Sequence, residues 1–215
     1  MKKIISILCL FIILGFFSSC LTTLYPFFTE NDIEFNSNLI GSWVYKNEKS
    51  KGSIYFERIP QNRLQELAPG IRKLTGKGYL VTRTRNDGST ESLSFVFLTK
   101  IGHNYYLDFY PAEIDFEKQV NNRFKSQYVR MHHCYKINIQ NQNSFNMSRL
   151  EESFLDDLID KNKIHIRYEE VTVLDKSRVI TAPTEDLRQY LLKYGDEPGA
   201  YNKDNSYTCT RIINR

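Results

Sequence analysis

The sequence lacks an excess of charge of either sign. It carries 29 lysine and arginine residues against 25 aspartate and glutamate residues, and its formal net charge is +4. A protein that binds nucleic acid needs a clustered basic surface to neutralise phosphates, so this balance argues against a nucleic-acid partner. Beyond Phe17 the sequence also lacks an apolar run of the roughly 20 residues that a transmembrane helix needs.

Motifs for catalysis and for metal binding are absent as well. There is no Gly-x-Ser-x-Gly turn that would present a nucleophilic serine. His132 and His133 are adjacent in a strand-like stretch, so their side chains point to opposite faces and do not share a metal site. Cys134 shares a face with His132, but residues two apart along a strand are about 6.5–7 Å apart, too far for a thiol–imidazole hydrogen bond. We therefore expect neither an enzyme nor a cofactor.

Cysteine is scarce, with four residues in the chain. Cys9 and Cys20 belong to the N-terminal stretch, which leaves Cys134 and Cys209. Each of these two lies in a strand-like segment, and a disulfide between them requires the two segments to be neighbours. Two separate buried thiols are the alternative, and the spacing does not decide between them.

What the sequence does have is a distinctive N-terminus. Lys2 and Lys3 precede an apolar run, Ile4–Phe17, and two serines then lead to Cys20. As a helix the run would span about 21 Å, less than the roughly 30 Å of a bilayer core. A basic start, a short apolar run and small residues are typical of a secretory signal peptide.

The ending F-S-S-C resembles a bacterial lipobox, in which the signal is removed before the cysteine and the thiol receives a diacylglycerol. The resemblance implies a signal peptide over residues 1–19, lipid attachment at Cys20 and membrane lipid as a partner. Removing Lys2 and Lys3 would lower the formal charge from +4 to +2. Leu21 follows in place of a retention aspartate, which implies the outer membrane of the cell envelope. An ordinary secretory signal with an incidental cysteine is the alternative.

Residues 20–38 are predicted to be a lipid-anchored tether and residues 39–215 a single domain. The tether contains an apolar cluster, Leu24, Tyr25, Phe27 and Phe28, for which two places are open. It lies on the bilayer surface or it caps one end of the domain.

The domain reads as a series of short strands. Strand-like runs cover 39–45, 52–59, 77–85, 90–101, 104–110, 127–140, 143–148, 163–170, 171–175, 178–181 and 206–213. Asp87-Gly88 between two alternating runs is a strong hairpin signal. We predict a mainly β fold, an antiparallel up-and-down barrel of about eight or more strands, with a β-sandwich as the competitor.

Two short helices are predicted in the C-terminal half. Ser148-x-x-Glu151 has the form of a capping box and precedes an amphipathic stretch. A second helix is expected from Thr184, as N-cap, to a stop at Gly195. Residues 64–74 read as a loop with at most a helical turn, because Pro69-Gly70 interrupts them.

Several strand faces are unusually polar. Tyr106, Asp108 and Tyr110 alternate on one strand, Arg83 lies on a second, and Arg130 and His132 lie on a third. If these faces line the lumen, the barrel would bind an anionic or amphiphilic ligand. If they face solvent, the apolar faces fill a dry core and no ligand is needed.

Gly41-Ser42-Trp43 on the first strand resembles the Gly-x-Trp of the lipocalins. The helix expected before the last strand is similar to the lipocalin order as well. This calycin-like resemblance implies an eight-stranded up-and-down barrel over residues 39–215. The arginine that lipocalins place before the last helix, against the tryptophan, is missing at Thr181-Ala182-Pro183, so Arg178 or Arg211 is expected over Trp43 instead.

Two further segments, Leu107–Pro111 and Thr181–Leu187, are similar to those of barrel lipoproteins of gut-type bacteria. The resulting hypothesis is a lipid-anchored envelope lipoprotein that binds a small amphiphilic ligand in its barrel. A filled barrel that acts through its surface, as an accessory or inhibitor protein without a ligand, is the alternative. An envelope enzyme ranks last.

The signal motif makes a direct prediction. Cys20→Ala should abolish the incorporation of radioactive fatty acid into the protein, because the substitution removes the thiol that would be acylated. Labelling of the variant at the level of the unaltered protein would rule out Cys20 as the lipid attachment site.

Overall fold

Eight antiparallel strands close into a barrel in the computed structural model, which describes residues 21–67, 69–112, 129–172 and 176–213. The strands in chain order are β1 (Ile33–Glu34), β2 (Gly41–Lys46), β3 (Lys51–Arg58), β4 (Gly78–Arg85), β5 (Thr90–Ile101), β6 (Asn104–Pro111), β7 (His133–Asn141), β8 (Ser144–Leu150), β9 (Tyr168–Thr172), β10 (Lys176–Ile180) and β11 (Tyr201–Arg211). Strands β2 to β8 pair in sequence order, and β11 closes the barrel because it pairs with both β8 and β2. The predicted up-and-down barrel is confirmed.

The remaining elements lie outside this barrel. The short β1 adds to the edge of β5, and β9 and β10 form a separate hairpin. The helices are α1 (Pro69–Arg72), α2 (Glu152–Asp160) and α3 (Thr184–Tyr194). The two longer helices, α2 and α3, lie in the C-terminal half, as predicted. Residues 163–175 were expected to hold two strands, but only β9 is found in the part of this range that the structure describes.

The capping box predicted at Ser148 and Glu151 is wrong. Ser148 is a strand residue of β8, and Ser206 of β11 donates a hydrogen bond to its hydroxyl over 2.9 Å. Helix α2 begins only at Glu152, and its N-cap, Glu151, makes no side-chain cap hydrogen bond. Pairing of β8 with strands on both edges outweighs the local capping signal, so the strand continues to Leu150.

The barrel interior is filled by large apolar side chains. Trp43, Phe56, Tyr79 and Phe145 are each at most 1% exposed. The rings of Trp43 and Phe145 meet edge to face with centroids 4.7 Å apart, a favoured aromatic arrangement. Alternate residues of each strand point inward, so these side chains meet from opposite walls.

One end of the barrel, which we call the closed end, is sealed by Arg211. Its guanidinium lies 4.2 Å above the Trp43 ring and donates a hydrogen bond to the carbonyl of Ile40 over 2.9 Å. The indole of Trp43 donates in turn to the carbonyl of Leu39 over 2.9 Å. Arg178, the other arginine considered for this place, instead forms ion pairs with carboxylates of α2.

A second apolar layer covers the outside of β6 and β7. It contains Leu21, Phe27, Tyr106, Cys134, Leu150, Leu155, Leu158, Leu187, Tyr190 and Leu191, which come from the N-terminal stretch, the barrel wall, α2 and α3. Residues 21–38 of the expected tether therefore pack on the barrel: Leu21, Phe27 and Phe28 are at most 4% exposed. Cys20 and the signal-like stretch lie outside the described residues.

Gly41 gives a test of the closed end. Its φ is +121°, and a Cβ there would lie 2.9 Å from Nη1 of Arg211. We expect Gly41→Ala to lower the free energy of unfolding by about 1–3 kcal/mol, because the substitution adds backbone strain and crowds the arginine. Urea unfolding followed by tryptophan fluorescence measures this.

Gly76→Ala is the matched control, since a Cβ at Gly76 has no heavy atom within 4 Å. Equal unfolding midpoints for the two variants would contradict the assigned role of Gly41.

Candidate functional site

The six residues expected to bind a ligand do not come together. Arg83 points into the barrel, because it pairs with Ile54 of the core. On β6 the inward residues are Leu107 and Phe109, so Tyr106, Asp108 and Tyr110 point outward. Arg130 and His132 lie next to these three outward side chains. The outward set does not face solvent either, since Tyr106 and Asp108 are 0% exposed.

Asp108 organises the outer set. Its Oδ2 accepts the backbone N–H of Phe27 over 2.8 Å, and its Oδ1 lies 2.6 Å from Nδ1 of His132. The Tyr110 ring lies 4.7 Å from the His132 ring, and Arg130 lies 4.9 Å above Tyr110. A buried carboxylate is tolerated only when it is hydrogen-bonded, and here both oxygens have partners. This cluster therefore holds the fold together.

The backbone of the chain after Leu21 is fixed at the same place. Thr23 and His132 exchange two hydrogen bonds, of 3.1 and 2.8 Å. On the other side Leu24 donates to the carbonyl of Ile180 over 2.9 Å, and Ile180 donates to that of Thr22 over 3.2 Å. We call residues 21–28 the N-terminal segment. It adds a short strand-like piece between β7 and β10, so it belongs to the folded domain.

Cys134 and Cys209 are both free and buried. Cys134 packs in the outer layer and Cys209 packs inside the barrel, so the wall separates them and the disulfide considered above is not formed. Burial raises the pKa of the Cys209 thiol to about 12 and that of Cys134 well above its ordinary value. Neither thiol is therefore a nucleophile at neutral pH.

The end of the barrel opposite Arg211, which we call the mouth, keeps charged side chains inside. They and the tyrosines around them form the mouth cluster: Tyr45, Arg83, Glu91, His133, Tyr135, Arg149 and Tyr207. Arg149 points inward because it pairs with Tyr135, a core residue. Two guanidiniums thus lie inside the mouth, and the carboxylate that pairs with Arg83, Glu91, is exposed at the rim.

Arg83 sits between tyrosine rings. Its guanidinium carbon lies 4.7 Å from the centre of the Tyr45 ring and 5.4 Å from that of Tyr207. Its Nε is 3.6 Å from Glu91 and has no hydrogen-bond partner among the described residues. Burial opposes the charge, but Tyr135, Glu91 and the other tyrosines favour it, and the pKa of Arg83 is raised. The guanidinium is charged, is held in position and has donor capacity to spare.

Arg149 is held by a neutral histidine. One of its terminal nitrogens lies 2.7 Å from Nδ1 of His133. Burial and the charge of Arg149 lower the pKa of His133 to about 4, so at neutral pH the ring accepts this hydrogen bond. The Nε of Arg149 has no partner among the residues described. The positive charge of Arg149 therefore meets no carboxylate in this part of the molecule.

The mouth cluster adjoins an open depression of about 530 Å³. Arg83, Glu91, Tyr45 and Tyr207 line its floor, and basic residues of the neighbouring turns, Lys49, Lys51 and Arg85, line its sides. The depression opens to solvent, while the deeper lumen is filled. A small group with negative charge could reach both aromatic and cationic side chains here.

Three comparisons give no relative: the chain matches no protein-family model, no curated protein and no solved structure. Within the described ranges, no group of three or more His, Cys, Asp or Glu side chains could hold a metal ion. No helix in that part of the chain is long and apolar enough to span a membrane.

The neutral His133 at the mouth predicts that the stability of the protein depends on pH. The pKa of His133 is about 4 in the folded protein, below its ordinary value of 6.5. Its contribution to stability is therefore complete above pH 6.5 and is lost as the pH falls toward 4. We expect the urea midpoint to fall over this range in the unaltered protein, and less steeply in His133→Gln, which does not take up a proton.

His165→Gln is the control, because His165 is exposed. It should keep the slope of the unaltered protein. If the urea midpoint of His133→Gln falls as steeply with decreasing pH as that of the unaltered protein, protonation of His133 is not the cause of the loss of stability in acid.

Proposed function

We propose that this chain is a lipid-anchored protein of the bacterial cell envelope and that its barrel mouth binds a small amphiphilic ligand through an anionic group. The observation that carries the proposal is the pair of interior guanidiniums, Arg83 and Arg149: among the described residues Glu91 lies beside Arg83, and Arg149 has a neutral histidine in place of a carboxylate. Guanidinium groups bind carboxylates and phosphates through paired hydrogen bonds, and Arg83 lines the open depression at the mouth, where an anion can approach it.

The tyrosines support an amphiphilic ligand over a purely ionic one. Tyr45 and Tyr207 meet edge to face with ring centres 5.4 Å apart, and both border the depression. An anionic head group would contact the guanidiniums, and the adjoining apolar part would lie on these rings. The filled core below, with Trp43 and Phe145, favours a ligand at the mouth over one deep in the lumen.

The alternative is a barrel without a ligand that acts through its outer surface as an accessory or inhibitor protein. The tightly packed interior favours it, since Tyr79 and Phe56 are 0% exposed. Under this alternative the arginines of the mouth only stabilise the fold. The two functions differ in whether an anion binds with measurable affinity at the mouth.

The position of the buried acid–base pair found in the described part of the chain, Asp108 and His132, favours binding over catalysis. Asp108 and His132 lie beneath the N-terminal segment, where Phe27 donates its backbone N–H to Asp108 and the backbone of Thr23 pairs with that of His132. A general base must reach a substrate, and this pair faces packed protein instead.

Lipid anchoring at Cys20 is proposed because the F-S-S-C motif resembles a lipobox. The outer membrane is the proposed location, because Leu21 stands where a retention aspartate would be. The fixed position of Leu21 fits with an anchor that begins directly at the folded domain.

The test is isothermal titration of the acylated protein, in a neutral detergent, with hexyl phosphate, inorganic phosphate and hexanol. We expect hexyl phosphate to bind most tightly. Arg83→Gln and Arg149→Gln should each weaken its binding by roughly 10- to 100-fold, because a charge-assisted hydrogen bond is worth about 1.5–3 kcal/mol.

Arg58→Gln is the matched control. Arg58 also stacks on an aromatic ring, 4.0 Å from the centre of Phe35, but it lies toward the closed end. Equal affinity in all three variants, or no binding of hexyl phosphate, would favour the barrel without a ligand.

A further inference from the structure

A β-bulge places an acidic side chain at the barrel mouth. Arg83 of β4 lies opposite Ser92 of β5. The next pair toward the mouth is Thr84 with Thr90, so Glu91 is an extra residue between the two pairs. An extra residue of this kind bends the strand and changes the direction of its side chain. Here it turns the Glu91 carboxylate toward Arg83, with which it forms an ion pair.

The Glu91 carboxylate lies where an anion from solution would bind. Its Oε2 is 3.6 Å from Nε of Arg83 and accepts a hydrogen bond from the hydroxyl of Tyr45 over 3.0 Å. Burial raises the pKa of Tyr45, so the hydroxyl keeps its proton and donates it to this bond. All three side chains line the depression, so an anion that enters it meets a carboxylate already beside the guanidinium.

Glu91 is held loosely enough to move aside. Its distance of 3.6 Å from Nε of Arg83 exceeds the roughly 3.2 Å limit of an N–H···O hydrogen bond, so this contact is an ion pair alone. The Glu91 side chain is 34% exposed and that of Arg83 is 14% exposed. A half-exposed carboxylate is stabilised by water when it leaves its partner. Glu91 can therefore rotate into solvent while Arg83 stays in place.

We propose that Glu91 is a competitor built into the anion site, which occupies Arg83 and Tyr45 until the anionic group of the ligand displaces it. Because of this competition, the mouth takes phosphate monoesters and not carboxylates. The inference rests on the proposed function, since it assumes an anion site at the mouth. It adds the class of anion and the residue that screens it.

The charge of the ligand decides which anions displace Glu91. A carboxylate ligand offers the same group but loses translational freedom on binding, whereas Glu91 is already attached to the chain. A phosphate monoester carries a charge of about −1.5 to −2 at neutral pH and has more acceptor oxygens. The described lining of the depression has four basic and two acidic side chains, Glu91 included, and one of the basic ones, Lys49, is paired with Asp204. The remaining positive charge favours the more highly charged ligand.

The test is isothermal titration of the acylated protein and of Glu91→Gln, in neutral detergent, with hexyl phosphate and with heptanoate. Heptanoate carries the same hexyl chain on a carboxylate. The substitution keeps the size of the side chain and an acceptor for Tyr45, but it removes the charge that competes for Arg83. We expect both ligands to bind Glu91→Gln about tenfold more tightly than the unaltered protein. Heptanoate should bind measurably only to the variant.

Asp87→Asn is the matched control. Asp87 also lines the depression, but its carboxylate accepts hydrogen bonds from Ser89 in its own turn. Asn-Gly is as good a hairpin turn as Asp-Gly, so the fold is kept. This variant measures the general effect of removing one negative charge. It should tighten binding by about threefold at most, because salt screens exposed charges.

Carbon magnetic resonance of the unaltered protein gives a second readout, which does not depend on the folding of a variant. The side-chain carboxyl signal of Glu91 should shift as hexyl phosphate saturates the site, and that of Asp87 should shift less.

The outcomes separate this inference from the proposed function. Equal gains in affinity in Glu91→Gln and Asp87→Asn, or a Glu91 signal that stays in place, would overturn the displacement and leave the anion site. Heptanoate that binds the unaltered protein as tightly as hexyl phosphate would overturn the selection for phosphate. Binding to Glu91→Gln alone would support the competition and overturn the proposed function. Binding to neither protein would overturn both.

Discussion

The buried carboxylate of Asp108 is the constraint on which the arrangement of this protein depends. It is fully shielded from water and is satisfied by the N–H of Phe27 and the ring of His132. Removing the N-terminal segment would leave a buried charge without one of its partners, which costs several kcal/mol. The segment is therefore held against the outer face of β6 and β7.

The barrel wall divides the polar side chains of the strands into two groups with different roles. Outside, Asp108 and His132 have their partners within the protein and stabilise the second layer. Inside, Arg83 and Arg149 are held by tyrosines and a neutral histidine and keep unused donors. The closed end shows what a satisfied interior arginine looks like, since Arg211 bonds to carbonyls and covers Trp43. The contrast between the two ends is the reason for placing a ligand at the mouth.

Much of the fold could be predicted from the sequence, because strand alternation and turn residues are local signals. The hairpin at Asp87-Gly88 is an example: Gly88 has a φ of +82°, as such a turn requires. Which face of each strand points inward could not be predicted, because the alternation of side chains along a strand defines two faces but does not show which of them faces the core. On β6 both faces are buried, so the polar residues Tyr106 and Asp108 gave no sign of a covering layer.

Arg149 shows how one wrong local assignment hides a site residue. The Ser148–Glu151 pattern places Arg149 at a helix start, whereas β8 continues through it and turns its side chain into the barrel. His133 and Tyr135 were read as parts of a strand, but their link to Arg149 depends on the register of β7 and β8. Such contacts between distant residues have no local signal in a single sequence.

The central claim is that the guanidiniums of Arg83 and Arg149 form an anion site at the barrel mouth. Nuclear magnetic resonance of the arginine side chains tests it most directly, with Arg211 as the internal reference, because the Nε–H of Arg211 already donates to the carbonyl of Gln142 at the closed end. On addition of hexyl phosphate, the Nε–H signals of Arg83 and Arg149 should shift in a saturable way and that of Arg211 should stay in place. Equal shifts of all three signals, or no shift of any, would contradict the account.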